Sequence, residues 1–211
     1  MKKEHPILFS APMVRAILNG TKTQTRRIFK GLTPPQCNGL HTCIVEDGVA
    51  KFHLNGKLAM HSGEWTQSPY GQPGDRMWVK ETFAYTDHTI NEQPGYVFRA
   101  TDPDWSEMEG FKWKPSIHMP RKASRITLEI AAVRVERLQD IKAADCIAEG
   151  IDPHTFNVGM GTVTTFRNYL TGATNSAAYQ SYQSLWESIN GPDSWNQNPW
   201  VWVIQFKRIS P

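Results

Sequence analysis

Apolar and polar positions change period several times along the chain, and each change marks an element. Met13, Val14, Ile17 and Leu18 recur at helical spacing, with Ser10 placed to cap, Pro12 in the first turn and Asn19-Gly20 at the stop. This pattern predicts a short helix. Residues 21–28, Thr-Lys-Thr-Gln-Thr-Arg-Arg-Ile, are polar on both sides but rich in Thr, which suits either an edge strand or an extended loop lining something. Alternation predicts strands over 76–81, launched from the Pro73-Gly74-Asp75 turn, and over 96–100. The strongest strand pattern covers 125–138, where Ile126, Leu128 and Ile130 share one face and Val133 and Val135 continue in the opposite phase. That phase change at Ala131-Ala132 predicts a bulge or sharp bend, as closed barrels need.

A second short helix is expected over 141–149, capped by Asp140 and stopped by Gly150. A third is expected over 176–190, with Tyr179, Tyr182, Leu185, Trp186 and Ile189 on one stripe and Gly191-Pro192 as terminator. The final segment, 200–209, is substantially apolar on both faces and should be a central strand. Between these elements, residues 33–72 carry two hairpin signals, Asp47-Gly48 and Asn55-Gly56, and read as an insertion forming a solvated flap. Residues 105–121 read as an ordered loop covering the sheet, and residues 154–175, rich in Gly, Thr and Asn, as a mobile loop. Short strands separated by short helices, with a bend inside the longest strand, favour an α+β fold built on a small mixed β-barrel over a doubly wound sheet.

The length of 211 residues favours one decorated domain spanning the chain. Hydrophobic residues make up 39% and charged residues 20%, so the chain can bury a core. Lys plus Arg is 23 against 20 for Asp plus Glu, a formal +3 that tolerates anionic ligands but excludes a histone-like coat of charge. Cys37, Cys43 and Cys146 form no CxxC pair and are odd in number, which argues against a disulfide framework and a four-Cys zinc site and for a reducing compartment. Met1-Lys2-Lys3 mimics the start of a signal peptide, but Glu4, Pro6, Pro12 and Arg15 interrupt the apolar region after it. No apolar run approaches the roughly 20 residues that cross a bilayer. The expectation is a cytoplasmic protein without membrane partners.

Candidate chemistry concentrates in Gly20-Thr21-Lys22-Thr23-Gln24-Thr25-Arg26-Arg27, where three cations and three hydroxyls follow a helix end within eight residues. Such a segment can present donors to phosphate, carboxylate or a nucleobase edge, and equally fits a solvated edge strand protected by Lys and Arg. Glu149 is oddly placed, because a carboxylate in the last helical turn faces the negative end of the macrodipole, disfavoured by about 0.3–1 kcal/mol. Trp186, Trp200 and Trp202 fit buried stripes, whereas Trp105, Trp113 and Trp195 lie in loop-like sequence and are the better candidates for stacking on bases. Cys37, His41, Cys43 and His53 lie near one another in the insertion, but their spacing matches no zinc pattern, so no metal or other cofactor is expected. HExxH, GxSxG and P-loop spacings are absent from the sequence.

Three pieces of the sequence resemble the ASCH family, small barrels related to the PUA domain of RNA-modifying enzymes. They are Leu18 through Arg27, Pro73-Gly74-Asp75 with Trp78-Val79-Lys80-Glu81, and residues 138–151 with Ala148-Glu149-Gly150; the last strand fits as well. The stretch Pro115-Ser116-Ile117-His118-Met119-Pro120-Arg121 is similar to longer relatives encoded by phages and prophages. The resemblance implies a PUA-like barrel. Some ASCH proteins are amidohydrolases that remove the acetyl group from N4-acetylcytidine with a Lys, a Thr and a Glu. By resemblance these are Lys22 as proton acceptor, Thr25 as nucleophile and Glu149 as proton donor, with Thr23, Arg26, Arg27, Trp113 and Arg121 as substrate-binding candidates. The chemistry is coherent, since a Thr hydroxyl needs a base and a buried Lys beside other cations can serve. The implied partner is a modified nucleoside or RNA. The alternatives are a non-catalytic RNA- or DNA-binding module, a nuclease of phage origin, or a phage accessory protein that binds a host protein. In a straight strand Lys22 and Thr25 would point to opposite faces, so the segment must bend.

Overall fold

The computed structural model describes residues 2–30, 41–46, 49–54, 57–58, 66–86, 95–107, 111–159 and 161–209. In chain order the elements are β1 (Glu4–Leu8), α1 (Ala11–Leu18), β2 (Gln24–Ile28), β3 (His41–Glu46), β4 (Val49–Leu54), β5 (Lys57–Leu58), β6 (Thr66–Gln67), β7 (Arg76–Lys80), β8 (Phe83–Thr86), β9 (Gly95–Phe98), β10 (Thr127–Arg137), α2 (Ala143–Ala148), β11 (Pro153–Val158), β12 (Gly161–Arg167), β13 (Thr174–Asn175), α3 (Ala178–Asn190) and β14 (Trp200–Ile209). The class is mixed α+β, mostly strands with few helices. No described helix is long and apolar enough to cross a membrane.

The main sheet has the order β1-β7-β10-β14-β2. β14 is interior to it, as its two apolar faces require, and separates two cores. Trp202, Ile204 and Phe206 face a cluster with Ile7, Met77, Leu128 and helix residues Val14 and Ile17, while Val201 and Val203 face Cys146 of α2 and Tyr182 and Trp186 of α3. The phase change in β10 is a bulge: the register against β14 shifts between Ile130 and Ala132. One extra residue brings Leu128 and Ile130 onto the same core as Val133 and Val135, so the strand bends without exposing an apolar face.

β1 was not anticipated, because Glu4 and Pro6 break its apolar pattern. It pairs in parallel with β7 at the sheet edge, where a proline is tolerated. β2 forms the other edge, so the Thr-rich segment is an edge strand that starts at Gln24, with Thr21, Lys22 and Thr23 in the turn before it. No ladder joins β1 to β2 among the described residues; instead, Arg27 Nη2 donates to the Leu8 carbonyl across the two edges.

Within the 33–72 region, β3 pairs with β4 from Glu46 opposite Val49, and β4 with β5 from Leu54 opposite Lys57. These are the registers the two hairpin signals predict, although Asp47-Gly48 and Asn55-Gly56 themselves lie outside the described residues. The expected strand at 96–100 is β9, paired with the unanticipated β8, and the 105–121 loop carries short 3₁₀ turns at Pro103–Glu107, Ser116–His118 and Arg121–Ala123.

Three expectations need correction. The 33–72 region is not simply a solvated flap: Ala50 of β4 is 3% exposed within the main core, and Val45 of β3 and Tyr70 pack against that core. The region expected to be a mobile loop at 154–175 instead contributes a three-stranded sheet, β11-β12-β13, in which Thr, Phe and Val side chains pair across strands while staying mostly exposed, so the polar composition that suggested a loop belongs to a solvated hairpin. α2 starts later than expected: Asp140 sits in a 3₁₀ turn, and the helix is capped at Lys142, whose backbone N–H donates to Asp145 Oδ2 at 3.4 Å.

The two sheets should respond differently to truncation. Trp202→Ala, at a side chain 1% exposed, should cost about 3–5 kcal/mol, whereas exposed Phe156→Ala should stay within about 0.5 kcal/mol. Urea midpoints of both variants test the contrast, and equal losses would overturn the assignment of the hairpin to solvent.

Candidate functional site

The end of α1 sets the geometry of the Lys-Thr segment. Gly20 takes φ +78°, and the N–H groups of Thr21 and Lys22 both donate to the Ala16 carbonyl, at 2.9 and 3.0 Å. The chain folds back under its own helix before β2 begins, which removes the parity conflict between Lys22 and Thr25. Thr23 N–H then donates to Ala148 O at 2.9 Å, tying the start of β2 to the end of α2. Gly150, at φ +94°, lets the two meet: a Cβ there would lie 3.2 Å from Ala16 Cβ and 3.3 Å from Lys22 Cβ.

Glu149 follows the last turn of α2 and is 4% exposed. Lys22, 2% exposed, lies directly against it, with Nζ donating to the Glu149 carbonyl oxygen at 2.7 Å and to Oε2 at 2.9 Å. The unfavourable placement of a carboxylate at a helix C-terminus is thereby resolved, because one ammonium neutralises the side chain and the helix end together. The other oxygen, Oε1, accepts from Arg26 Nη1 at 3.1 Å. Arg26 Nη2 in turn bonds Glu136 Oε1 and lies 3.6 Å from Asp145 Oδ2. Arg134 completes the network with Nε on Glu136 at 3.0 Å and Nη2 on Asp145 at 3.3 Å. Three cations thus face three carboxylates, the balance that burial of charge demands.

Burial pulls the Lys22 ammonium below the ordinary lysine value; Glu149 opposes that shift, and Arg27 and Arg26 add to it. Burial likewise pushes the Cys146 thiol up to about 12 and Tyr182 well above its ordinary value.

A pocket of about 70 Å³ opens beside this network. Its wall includes Thr25, Arg26 and Arg27 of β2, Glu149, and Tyr182 and Trp186 of α3. It runs along the edge of β2 that has no ladder partner among the described residues. Phe29 N–H donates to Trp200 O, and Phe206 N–H to Thr23 O. Ladder bonds therefore fall on the odd residues, and the backbone groups of Gln24, Arg26 and Ile28 turn away from β14. Residues from both faces reach the pocket over that edge: Arg26 opposes Val203, while Thr25 and Arg27 oppose Ile204 and Trp202.

Of the residues picked out in the sequence, Lys22 and Glu149 are in direct contact, and Thr25, Arg26, Arg27 and Glu149 share the pocket. No hydrogen bond links Thr25 to Lys22 among the described residues. Thr23 is exposed beside the strand and does not line the pocket. Trp113 and Arg121 do not line it either. Trp113 donates to Ser106 Oγ at 2.7 Å and packs on Phe111, while Arg121 makes two hydrogen bonds to Glu4 at the other sheet edge. Trp195, expected in a loop, is buried against Tyr179 and Tyr182. His41, Cys43 and His53 lie on β3 and β4, and Cys37 falls outside the described residues.

Sequence reasoning missed Arg134, Glu136 and Asp145 in the network and assigned Tyr182 and Trp186 to the core alone. The signal was present in β10, where Arg134 and Glu136 alternate with Val133 and Val135, but alternation names a solvent face as readily as an ion-pair face. Comparison of the chain with protein-family models, curated proteins and solved structures finds no match in any of the three.

Arg26→Met should destabilise the fold by about 3–5 kcal/mol, because it leaves Glu149, Glu136 and Asp145 short of a buried cation. Denaturant titration measures this, and a loss below about 1 kcal/mol would show that the carboxylates reach water without Arg26.

Proposed function

We propose that the chain is a PUA-like barrel of the ASCH type that binds an N4-acylated cytidine, free or within RNA, and hydrolyses the acyl amide. The observation that carries this reading is the convergence of Thr25 and Glu149 on one pocket, with Lys22 bonded to Glu149 behind it across 127 positions of sequence. The barrel is supported by the curvature that lets Arg27 reach across from β2 to Leu8.

In this mechanism Lys22 and Glu149 act as a pair that carries one proton. Transfer along their 2.9 Å contact turns an ammonium and a carboxylate into an amine and a carboxylic acid, and burial, which lowers the Lys22 ammonium below its ordinary value, favours the amine. Thr25 Oγ1 then attacks the acyl carbon as its hydroxyl proton passes to the Lys22 amine. The C–N bond breaks, and the departing N4 takes the proton from the Glu149 carboxyl. The ion pair is restored. Water hydrolyses the acyl-threonyl ester, releasing the carboxylic acid and regenerating the Thr25 hydroxyl. A non-catalytic strand-binding role draws less support, because Lys22 and Arg26 are buried against carboxylates rather than presented to phosphates.

Purified protein should release cytidine from N4-acetylcytidine, measured by chromatography, and Thr25→Ala and Glu149→Ala should lose at least about 100-fold. Lys22→Arg keeps a cation beside Glu149 but cannot give up its proton, so it should be equally inactive. Because the pair must hold one proton, kcat/KM should fall on the alkaline side as the last proton leaves. That fall should come below pH 10.5, since burial lowers Lys22 from 10.5. Release by the Arg variant at the wild-type rate, or none by wild type, would overturn the proposal.

A further inference from the structure

Two side chains in the pocket wall carry a hydroxyl, Thr25 of β2 and Tyr182 of α3. Tyr182 is 3% exposed, and among the described residues its Oη forms no hydrogen bond. The unpartnered side-chain atoms of the wall that are sealed from solvent are Arg26 Nε, Arg27 Nε and Trp186 Nε1; Tyr182 Oη is not one of them, so this hydroxyl is both unpartnered and reachable. A buried tyrosine hydroxyl nearly always finds a partner, and one left free at a pocket wall points to a partner brought by the ligand.

The strand edge divides the pocket into two sides. Thr25 is in register with Ile204 of the first core, and Arg26 with Val203 of the second. Tyr182 belongs to the second core, with the Arg26 guanidinium carbon 6.0 Å from its ring centroid. Burial, reinforced by the Glu149 carboxylate, raises its phenol well above the ordinary value, so the hydroxyl keeps its proton and serves as a donor. The other donors on this side are committed or sealed: Arg26 bonds Glu149 and Glu136, Asn190 Nδ2 bonds the Trp186 carbonyl, and Trp186 Nε1 is closed off. The pocket volume of about 70 Å³ is well below the roughly 300 Å³ of sites that enclose a whole small molecule. It takes the scissile amide and the adjoining ring edge, and the sugar stays outside.

An acyl amide lying across the edge has its carbonyl carbon at Thr25 and its nitrogen at Glu149, on the side of Arg26 and Tyr182. In cytosine the carbon that bears N4 is flanked by N3, an acceptor, and by C5, which carries a hydrogen. With N4 held at the Glu149 carboxyl, a hydroxyl donor on that side finds one ring partner, N3. We infer that the Tyr182 hydroxyl donates a hydrogen bond to N3 of the base, making Tyr182 the residue that orients the leaving group and selects a ring nitrogen next to the scissile amide. This rests on the amidohydrolase reading above and adds to it the recognition of the base. As the C–N bond breaks, electron density building on N4 spreads onto N3, so the same hydrogen bond strengthens in the transition state. The proton still passes from Glu149 to N4, and Tyr182 keeps its own.

Tyr182→Phe removes the hydroxyl and keeps the ring in the second core. The test compares its kcat/KM with wild type on N4-acetylcytidine and on N4-acetyl-3-deazacytidine, in which a C–H replaces N3, by chromatography of the released nucleoside. Loss of the hydroxyl should lower kcat/KM for N4-acetylcytidine about tenfold and leave that for the 3-deaza compound within about twofold. Calorimetric titration of both compounds into Thr25→Ala, with and without Tyr182→Phe, makes the same comparison without turnover. Equal losses toward both compounds, or no loss toward N4-acetylcytidine, would overturn the role of Tyr182 while leaving the amidohydrolase reading standing. No cytidine release by wild type would overturn that reading and this inference with it.

Discussion

Burying Glu149 is the constraint around which the rest of the site is arranged. A carboxylate removed from water at the negative end of a helix is doubly disfavoured, and it persists only because Lys22 and Arg26 approach it from a different part of the chain. Satisfying them requires the turn at Gly20, the close approach at Gly150 and the strand β2 that places Arg26 two positions past Gln24. α1, α2 and β2 are therefore held together by charge as well as by apolar contact. The consequence is a Lys22–Glu149 contact held in place by the packing around it.

The second determinant is the open edge of β2. An interior strand would spend its backbone groups on two neighbours and bury both of its faces under packed side chains. At an edge, residues from both faces can converge over the unpaired side, as Thr25 and Arg27 do from one face and Arg26 from the other. α3 supplies Tyr182, Leu185 and Trp186, which both complete the second core and wall the pocket, while the exposed Ile189 adds only to the wall. Protection of an edge strand and formation of the pocket are here the same act of packing.

Much of the framework was legible because it rests on local periodicity. The helix before Gly20, the bulge between Ile130 and Ala132, the central β14 and the hairpin registers around Asp47-Gly48 and Asn55-Gly56 follow from side-chain period and turn chemistry, both of which are properties of neighbouring residues. β1 was hidden because an edge strand paired in parallel tolerates Pro6, and β11 and β12 because a solvated hairpin has the composition of a loop. The 20–27 cluster stood out by its charge and hydroxyls and Glu149 by its place at a helix end, whereas the separate roles of Lys22, Thr25 and Glu149 came only from a resemblance to the ASCH family. Arg134, Glu136 and Asp145 did not stand out, since a charged residue on an alternating strand looks the same whether it meets water or another charge.

Local pattern alone places the turns at Gly20 and Gly74, the interior strand β14 and the polar cluster at 20–27. The packed fold adds that Lys22 meets Glu149, that Arg26 serves three carboxylates, and that Trp113 and Arg121 stay with Phe111 and Glu4 while Trp186 joins the pocket. The physical reason is distance along the chain. Periodicity is set by neighbours a few residues apart, whereas an ion pair between residues 127 positions apart exists only once the sheet and helices have closed around it and excluded the water that would otherwise solvate each charge alone.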